Sequence, residues 1–361
     1  RPDLREDSSA TLASFMVGHQ VGDIARHVYD PKGKGTLIDF QVGGFDAAFT
    51  RTQALLQTNQ PIFEAGFRAE GALAFADVML PIKQAGKRAW RMVEVKSSTS
   101  VKDYHRDDAA VQAFLAHSCG VPLAGIALAH IDSSWVYPGG GDYSGLLVEN
   151  DLTDEAFPRE AEVRGWIEEA HGIVAKKKEP RVLTGEQCSA PYECGFFAYC
   201  QSNEPLVEQP LHWLPGAQSK ALKAHIEAHG LSELRDVPDG LLNEKQRRVK
   251  KVTLTGKVHF DQVSAARDLA QHKLPAYFMD FETIQFAVPI WKGTRPYQQI
   301  PFQFSVHRLA RTGKLVQQAF LDLSGGDPSR GFAEALVGAC GERGPIFVYN
   351  AGFEMARIRD L

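Results

Sequence analysis

Asp77 and the run Glu94-Val95-Lys96 constrain the fold of this chain more than any other feature of it. Alternation along a strand sends Glu94 and Lys96 to one face and Val95 to the other. Asp77 lies in Leu73-Ala74-Phe75-Ala76-Asp77-Val78-Met79-Leu80, a mostly apolar run that reads as the neighbouring strand. Glu64, in Pro61-Ile62-Phe63-Glu64-Ala65-Gly66-Phe67, belongs to the strand before that. After Lys96 come the polar turn Ser97-Ser98-Thr99-Ser100 and an amphipathic helix from Asp108 to Leu115, whose Gln112 is expected to face the same cleft. Carboxylates meeting beside an ammonium suit a hard divalent cation, Mg²⁺ or Mn²⁺, which takes oxygen ligands and keeps part of its water. Such an ion lowers the pKa of bound water and neutralises charge on a phosphate, and a nearby lysine orients the attacking water or offsets charge. Taken alone, Glu-x-Lys reads as a solvated pair on a half-buried strand. The ordered set around it reverses that reading.

Three acids, a lysine and a glutamine in the order strand, strand, strand, helix resemble the PD-(D/E)xK nucleases, in particular their RecB-like branch. The resemblance implies an α/β, restriction-endonuclease-like core. It implies that Asp77 and Glu94 bind metal, that Lys96 is catalytic, and that Glu64 and Gln112 help place metal and DNA backbone. Tyr104 and His105, between Lys96 and Gln112, are expected to touch DNA. One departure stands out. RecB-like enzymes often carry Gly-x-x-x-His on their first helix, with the histidine a metal ligand. Here Gly18-His19-Gln20-Val21-Gly22 has glycine at that place, and His19 is expected to be a surface or packing residue.

Three of the five cysteines, Cys188, Cys194 and Cys200, fall together with equal gaps, amid proline, glycine and aromatic residues that suit a tight loop on a metal centre. A trio of buried small hydrophobes is the bland alternative, and a disulfide is disfavoured because nothing suggests secretion. Resemblance to AddB-type and CRISPR-associated RecB-like exonucleases implies an iron–sulfur (4Fe-4S) cluster here, with a fourth cysteine before the first helix (Thr11 to Val28). A cubane takes four ligands, usually thiolates. The chain starts at Arg1 without an initiator methionine, so that cysteine is expected in a preceding segment, Cys119 and Cys340 being poor substitutes. The alternative is a structural Zn²⁺ site completed by His212.

Near the other end, Tyr277-Phe278-Met279-Asp280-Phe281-Glu282-Thr283 resembles the first motif of the DnaQ-like (DEDD) exonucleases. Asp280 and Glu282 would share a strand face and hold metal between them. Phe347-Val348-Tyr349-Asn350-Ala351-Gly352-Phe353-Glu354 resembles the second motif, with Glu354 in place of aspartate. Residues 299–307 and 313–321 read as a β-hairpin between the two motifs, as in a ribonuclease-H-like sheet. The third motif would follow Leu361.

Length and ordinary apolar content fit two modest globular domains and a connector. The expected division is residues 1–203 for the RecB-like domain with its cysteine cluster, 204–270 for a helical, helix-hairpin-helix-like connector, and 271–361 for the N-terminal part of a DnaQ-like domain. Net charge is −4, so any contact with nucleic acid must be local. Lys83, Lys87, Arg88 and Arg91 flank the Asp77–Glu94 hairpin, and Lys245, Arg247, Arg248, Lys250, Lys251 and Lys257 form a second basic patch. No membrane span or signal peptide is visible, and a cytoplasmic location is expected. The leading expectation is a metal-dependent deoxyribonuclease acting on single-stranded DNA or DNA ends. A degenerate DNA-binding module assisting a partner nuclease, and an RNA exonuclease acting through the DnaQ-like part, are the alternatives.

Overall fold

A computed structural model describes residues 1–361 except Ala217. Its architecture is mixed α/β, with two mixed sheets and helices packed on them. The chain begins with α1 (Ser9–Tyr29), whose first turn is capped by the Ser8 side chain accepting the Thr11 N–H. The short β1 (Thr36–Leu37) and α2 (Gly44–Leu55) follow. Then come β2 (Ile62–Ala69), β3 (Ala72–Gln84), β4 (Lys87–Lys96), α3 (Asp103–Ser118), β5 (Leu123–Ile131) and β6 (Leu147–Asp151). These six strands lie in sequence order; β1–β2 and β4–β5 are parallel and the remaining neighbours antiparallel.

One face of this sheet sends Ile62, Met79, Trp90 and Met92 against Ala109, Ala113 and Phe114 of α3. The opposite face sends Phe63, Val78 and Val93 toward Tyr29 and Leu147. The alternation of β2 breaks at Glu64, since Ile62 and Ala65, three apart, both enter the first cluster. The cause is the backbone of Glu64, whose φ is +55°. Close packing of α2 demands a glycine at 66: a Cβ there would lie 2.9 Å from both Phe49 and Phe75.

After β6 come α4 (Thr153–Ala156), α5 (Glu160–Val174), the cysteine loop and α6 (Phe197–Ser202). The segment with α7 (Lys220–His229) and α8 (Glu244–Thr255) closes on its own small core of Leu214, Leu222, Leu234, Val237 and Leu242. After α9 (Gln262–Ala270), the second sheet is built from β7 (Ala276–Ile284), β8 (Ile300–Leu309) and β9 (Leu315–Leu321), followed by α10 (Ser329–Cys340), β10 (Ile346–Phe347) and α11 (Ala351–Asp360). Its order is β10-β7-β8-β9, with the expected hairpin between β8 and β9. Tyr277, Met279, Phe281, Phe304 and Val306 pack on Phe332 and Leu336 of α10.

The two sheets are tied by residues 285–299, the loop between β7 and β8. Ala287 and Val288 are buried with Val21 and Ile24 of α1 and with Ile131 and Leu146. The Tyr137 and Gly293 amides donate to the Thr294 and Tyr137 carbonyls at 3.0 and 2.8 Å. The Tyr297 hydroxyl donates to the carbonyl of Ser97, one residue past Lys96. Among the described residues, no helix is long and apolar enough to cross a membrane.

Candidate active site

Register brings Glu64, Asp77 and Glu94 to one level on three adjacent strands. Pairing of Phe63 with Val78 and of Ala65 with Ala76 leaves Glu64 opposite Asp77. The β3–β4 ladder ends at Val78–Val93, which sets Asp77 opposite Glu94. It ends there because the Asp77 carboxylate itself accepts the Val95 N–H, at 2.6 Å. A side chain thus replaces the strand partner, and β4 parts from β3 at the acids.

Glu94 is 4% exposed. One of its oxygens accepts from Lys96 Nζ at 2.8 Å, and the other lies 3.4 Å from Gln112 Nε2. Lys96 Nζ also donates to Asp108 at 2.6 Å, and Gln112 Nε2 to the Phe75 carbonyl at 3.0 Å. Asp108 and Gln112 are four apart on α3, hence on one helix face. Asp108 was not singled out from the sequence; its i,i+4 spacing to Gln112 was the available signal.

Electrostatics set this cluster apart. Burial, then the charge of Asp77, pushes the Glu64 carboxyl up to about 7, with Arg26 opposing. Burial pushes Asp77 up to about 6 despite the Val95 amide. Glu94 is raised well above the usual carboxylate range by burial and then by Asp77. Burial works against the Lys96 ammonium, but Glu94 and Asp108 outweigh it and its pKa rises. The site therefore holds more buried carboxylates than its one lysine can neutralise. Beside them, Gln112 Oε1 is buried with no hydrogen-bond partner among the described residues.

Two converging carboxylates and an unpaired amide oxygen fit a hard cation that retains several waters. Among the described residues no three His, Cys, Asp or Glu side chains are arranged as a ready metal-binding group. That statement covers the acid row and the cysteine loop alike. His19, on the exposed side of α1, is a surface residue.

The neighbouring aromatics divide. His105 is 2% exposed and its Nδ1 accepts the Lys102 N–H at 3.1 Å, capping α3. Buried in this way it presents no surface to a nucleic acid, contrary to expectation. Tyr104 is half-buried, its ring 5.2 Å from that of Tyr192. Tyr192 belongs to the cysteine loop, so that loop rests against the start of α3.

Cys188, Cys194 and Cys200 are half-buried, and the Cys194 amide donates to the Cys188 carbonyl at 2.8 Å. Partial desolvation raises the Cys200 thiol pKa, and the nearby Cys194 and Cys188 raise it further. The start of the chain lies on the same loop: the Glu6 amide donates to the Gly195 carbonyl at 2.8 Å, and Ser8 Oγ to Glu193 at 2.6 Å. Cys119 caps the end of α3 and Cys340 is buried under the second sheet. His212 is exposed on the single turn Leu211–Trp213.

On the second sheet, Asp280 and Glu282 do share a strand face, exposed and opposite to Tyr277, Met279 and Phe281. Glu354 is not with them in any hydrogen bond. It is buried in the first turn of α11, one oxygen accepting the Asn350 N–H at 3.3 Å and the other without a hydrogen-bond partner among the described residues. In the second basic patch, Lys245, Arg247 and Arg248 are exposed along α8, Arg248 pairing with Glu244, while Lys250 is held by Asp239 and the Val237 carbonyl.

The sequence profile of a domain of unknown function, DUF2779, matches residues 277–361. It therefore covers Asp280, Glu282 and Glu354 and leaves the Asp77–Glu94–Lys96 cluster outside. No curated protein matches the chain.

Proposed function

We propose that this protein is a metal-dependent nuclease of the PD-(D/E)xK, RecB-like type, hydrolysing phosphodiester bonds in single-stranded DNA or DNA ends. The observation that carries the reading is the row Glu64, Asp77, Glu94 with Lys96 bridging Glu94 and Asp108. Asp77 and Glu94 would hold Mg²⁺ or Mn²⁺, which supplies Lewis acidity and an acidified water when bound. Lys96, kept charged by two carboxylates, donates toward a phosphate oxygen or the attacking water. Glu64, with a carboxyl pushed to about 7, can take up a proton near neutral pH. Gln112 holds Glu94 in place from α3.

The cysteine loop supports a structural centre rather than a catalytic one. In that reading Cys188, Cys194 and Cys200 would be ligands of the centre, and residues 5–8 pack on their loop. For the second sheet we propose an auxiliary, DnaQ-like role. Glu354 has one oxygen accepting the Asn350 N–H and the other buried without a partner among the described residues.

The test is digestion of end-labelled single-stranded DNA with Mn²⁺ by wild type, Lys96→Ala and Asp280→Ala. Lys96→Ala should lose at least about a hundredfold in rate with DNA binding retained, and Asp280→Ala should cut normally. Loss in Asp280→Ala alone would reverse the roles of the two sheets. No cutting by wild type would bring forward the DNA-binding module.

A further inference from the structure

The turn before α2 and the first residues of that helix, Asp39-Phe40-Gln41-Val42-Gly43-Gly44-Phe45, carry apolar side chains where a connecting turn is normally polar. Phe40, Val42 and Phe45 are 43%, 71% and 47% exposed. Phe40 and Phe45 stack on each other with centroids 5.2 Å apart and planes 16° from parallel. Gly43 and Gly44, at φ +87° and +81°, form the tight reversal that brings the rings together. Two half-exposed, near-parallel aromatic rings, one in the turn and one at the helix start, bury little for the surface they leave in water.

Their position gives them a use. Phe75 underlies both rings, at 5.5 Å from Phe40 and 6.0 Å from Phe45. Phe75 precedes Asp77 by two residues on β3, a separation of about 6–7 Å along a strand. Its carbonyl accepts from Gln112, the residue that reaches Glu94. The stack thus packs on a residue two positions along β3 from Asp77, on the sheet face that α3 covers.

We propose that Phe40 and Phe45 form a stacking platform for unpaired bases flanking the phosphate held at the Asp77–Glu94–Lys96 cluster, so that the substrate class is single-stranded nucleic acid. This rests on the nuclease reading above. Stacking tolerates any base, because every base has a π-face, but needs bases freed from a duplex. Contact of the rings with Phe75, on the strand that carries Asp77, favours a nucleic-acid strand over a protein partner on this patch.

The experiment uses the full chain and a twelve-nucleotide oligothymidylate, with the matching duplex as control, in fluorescence anisotropy without divalent metal. Wild type is compared with Phe40→Leu/Phe45→Leu, which keeps apolar volume but removes the ring faces, and with Phe40→Ala/Phe45→Ala. Both doubles should bind the single strand at least about tenfold more weakly, with duplex binding unchanged, and the leucine pair should melt at the wild-type temperature. Wild-type affinity in the leucine pair would overturn the platform, as would equal weakening for both DNA forms or a change in oligomeric state with binding intact. Absence of single-strand binding by wild type would overturn it too. Mn²⁺ cleavage of the same oligomer separates the two ideas. A wild type that binds through the rings but never cuts keeps the platform and sinks the nuclease. A leucine pair that binds and cuts as wild type sinks only the platform.

Discussion

Glu64 combines a half-buried carboxyl with a left-handed backbone, φ +55°, inside a strand. A residue with a Cβ pays about 1–3 kcal/mol for such a conformation, and strain of this kind gathers at functional sites. Glu64→Gly should therefore raise the stability of the metal-free protein by about 1 kcal/mol in urea while lowering Mn²⁺-dependent cleavage. A variant that is less stable, or cuts normally, would show that the residue is neither strained nor used. The titration of the row makes a second prediction. Glu64 and Asp77 have folded pKa values of about 7 and about 6, above those of an unfolded chain. Protons thus bind the folded form more tightly, and the stability they confer is fully present below about pH 4 and is lost as pH rises through 6 and 7. Without divalent metal the melting temperature should fall across that window, and Mn²⁺ should restore it most at the upper end. A melting temperature that is flat from pH 5 to 7.5, with or without Mn²⁺, would mean that the row does not titrate as its burial implies.

At the scale of elements, α3 completes the site that the strands begin. Gln112 spans from the Phe75 carbonyl on β3 to Glu94 on β4, and Asp108 anchors the far side of Lys96. Gln112→Ala removes the donor to a buried carbonyl and the amide beside a buried carboxylate. It should cost roughly 1–3 kcal/mol in chemical denaturation and reduce Mn²⁺ affinity. Unchanged stability would place the glutamine outside the network. The strands themselves were legible from alternating apolar residues, and the shared face of Glu94 and Lys96 followed from it. The shared face of Asp280 and Glu282 followed in the same way. Asp108 and the burial of His105 were not legible, because helix periodicity shows which residues share a face, not how deeply that face is covered.

At the scale of the molecule, residues 285–299 make one body of two sheets. A division of the chain near residue 271 assigns this loop to the second unit, yet Ala287 and Val288 complete a cluster with α1 and β5, and Tyr297 reaches Ser97 just beyond the end of β4. Val288→Asp puts an unpaired carboxylate into that cluster and should destabilise the protein by more than about 3 kcal/mol. Limited proteolysis should then cut between the sheets, whereas a wild-type digestion pattern would mean that the contact contributes little. By itself the sequence determined the chemistry within each element: which strands carry acids, where Lys96 follows Glu94, and that Cys188, Cys194 and Cys200 lie in one loop. Those features depend on spacings of two to six residues, which backbone geometry alone translates into position. Only the tertiary structure decided that Glu64, Asp77 and Glu94 stand in one row, that Glu64 adopts a left-handed backbone to stand there, that Glu354 is buried against the start of its own helix, and that Phe40 and Phe45 stack on Phe75. Each of these follows from contacts between distant segments, and their energies arise from burial and packing that no local pattern encodes.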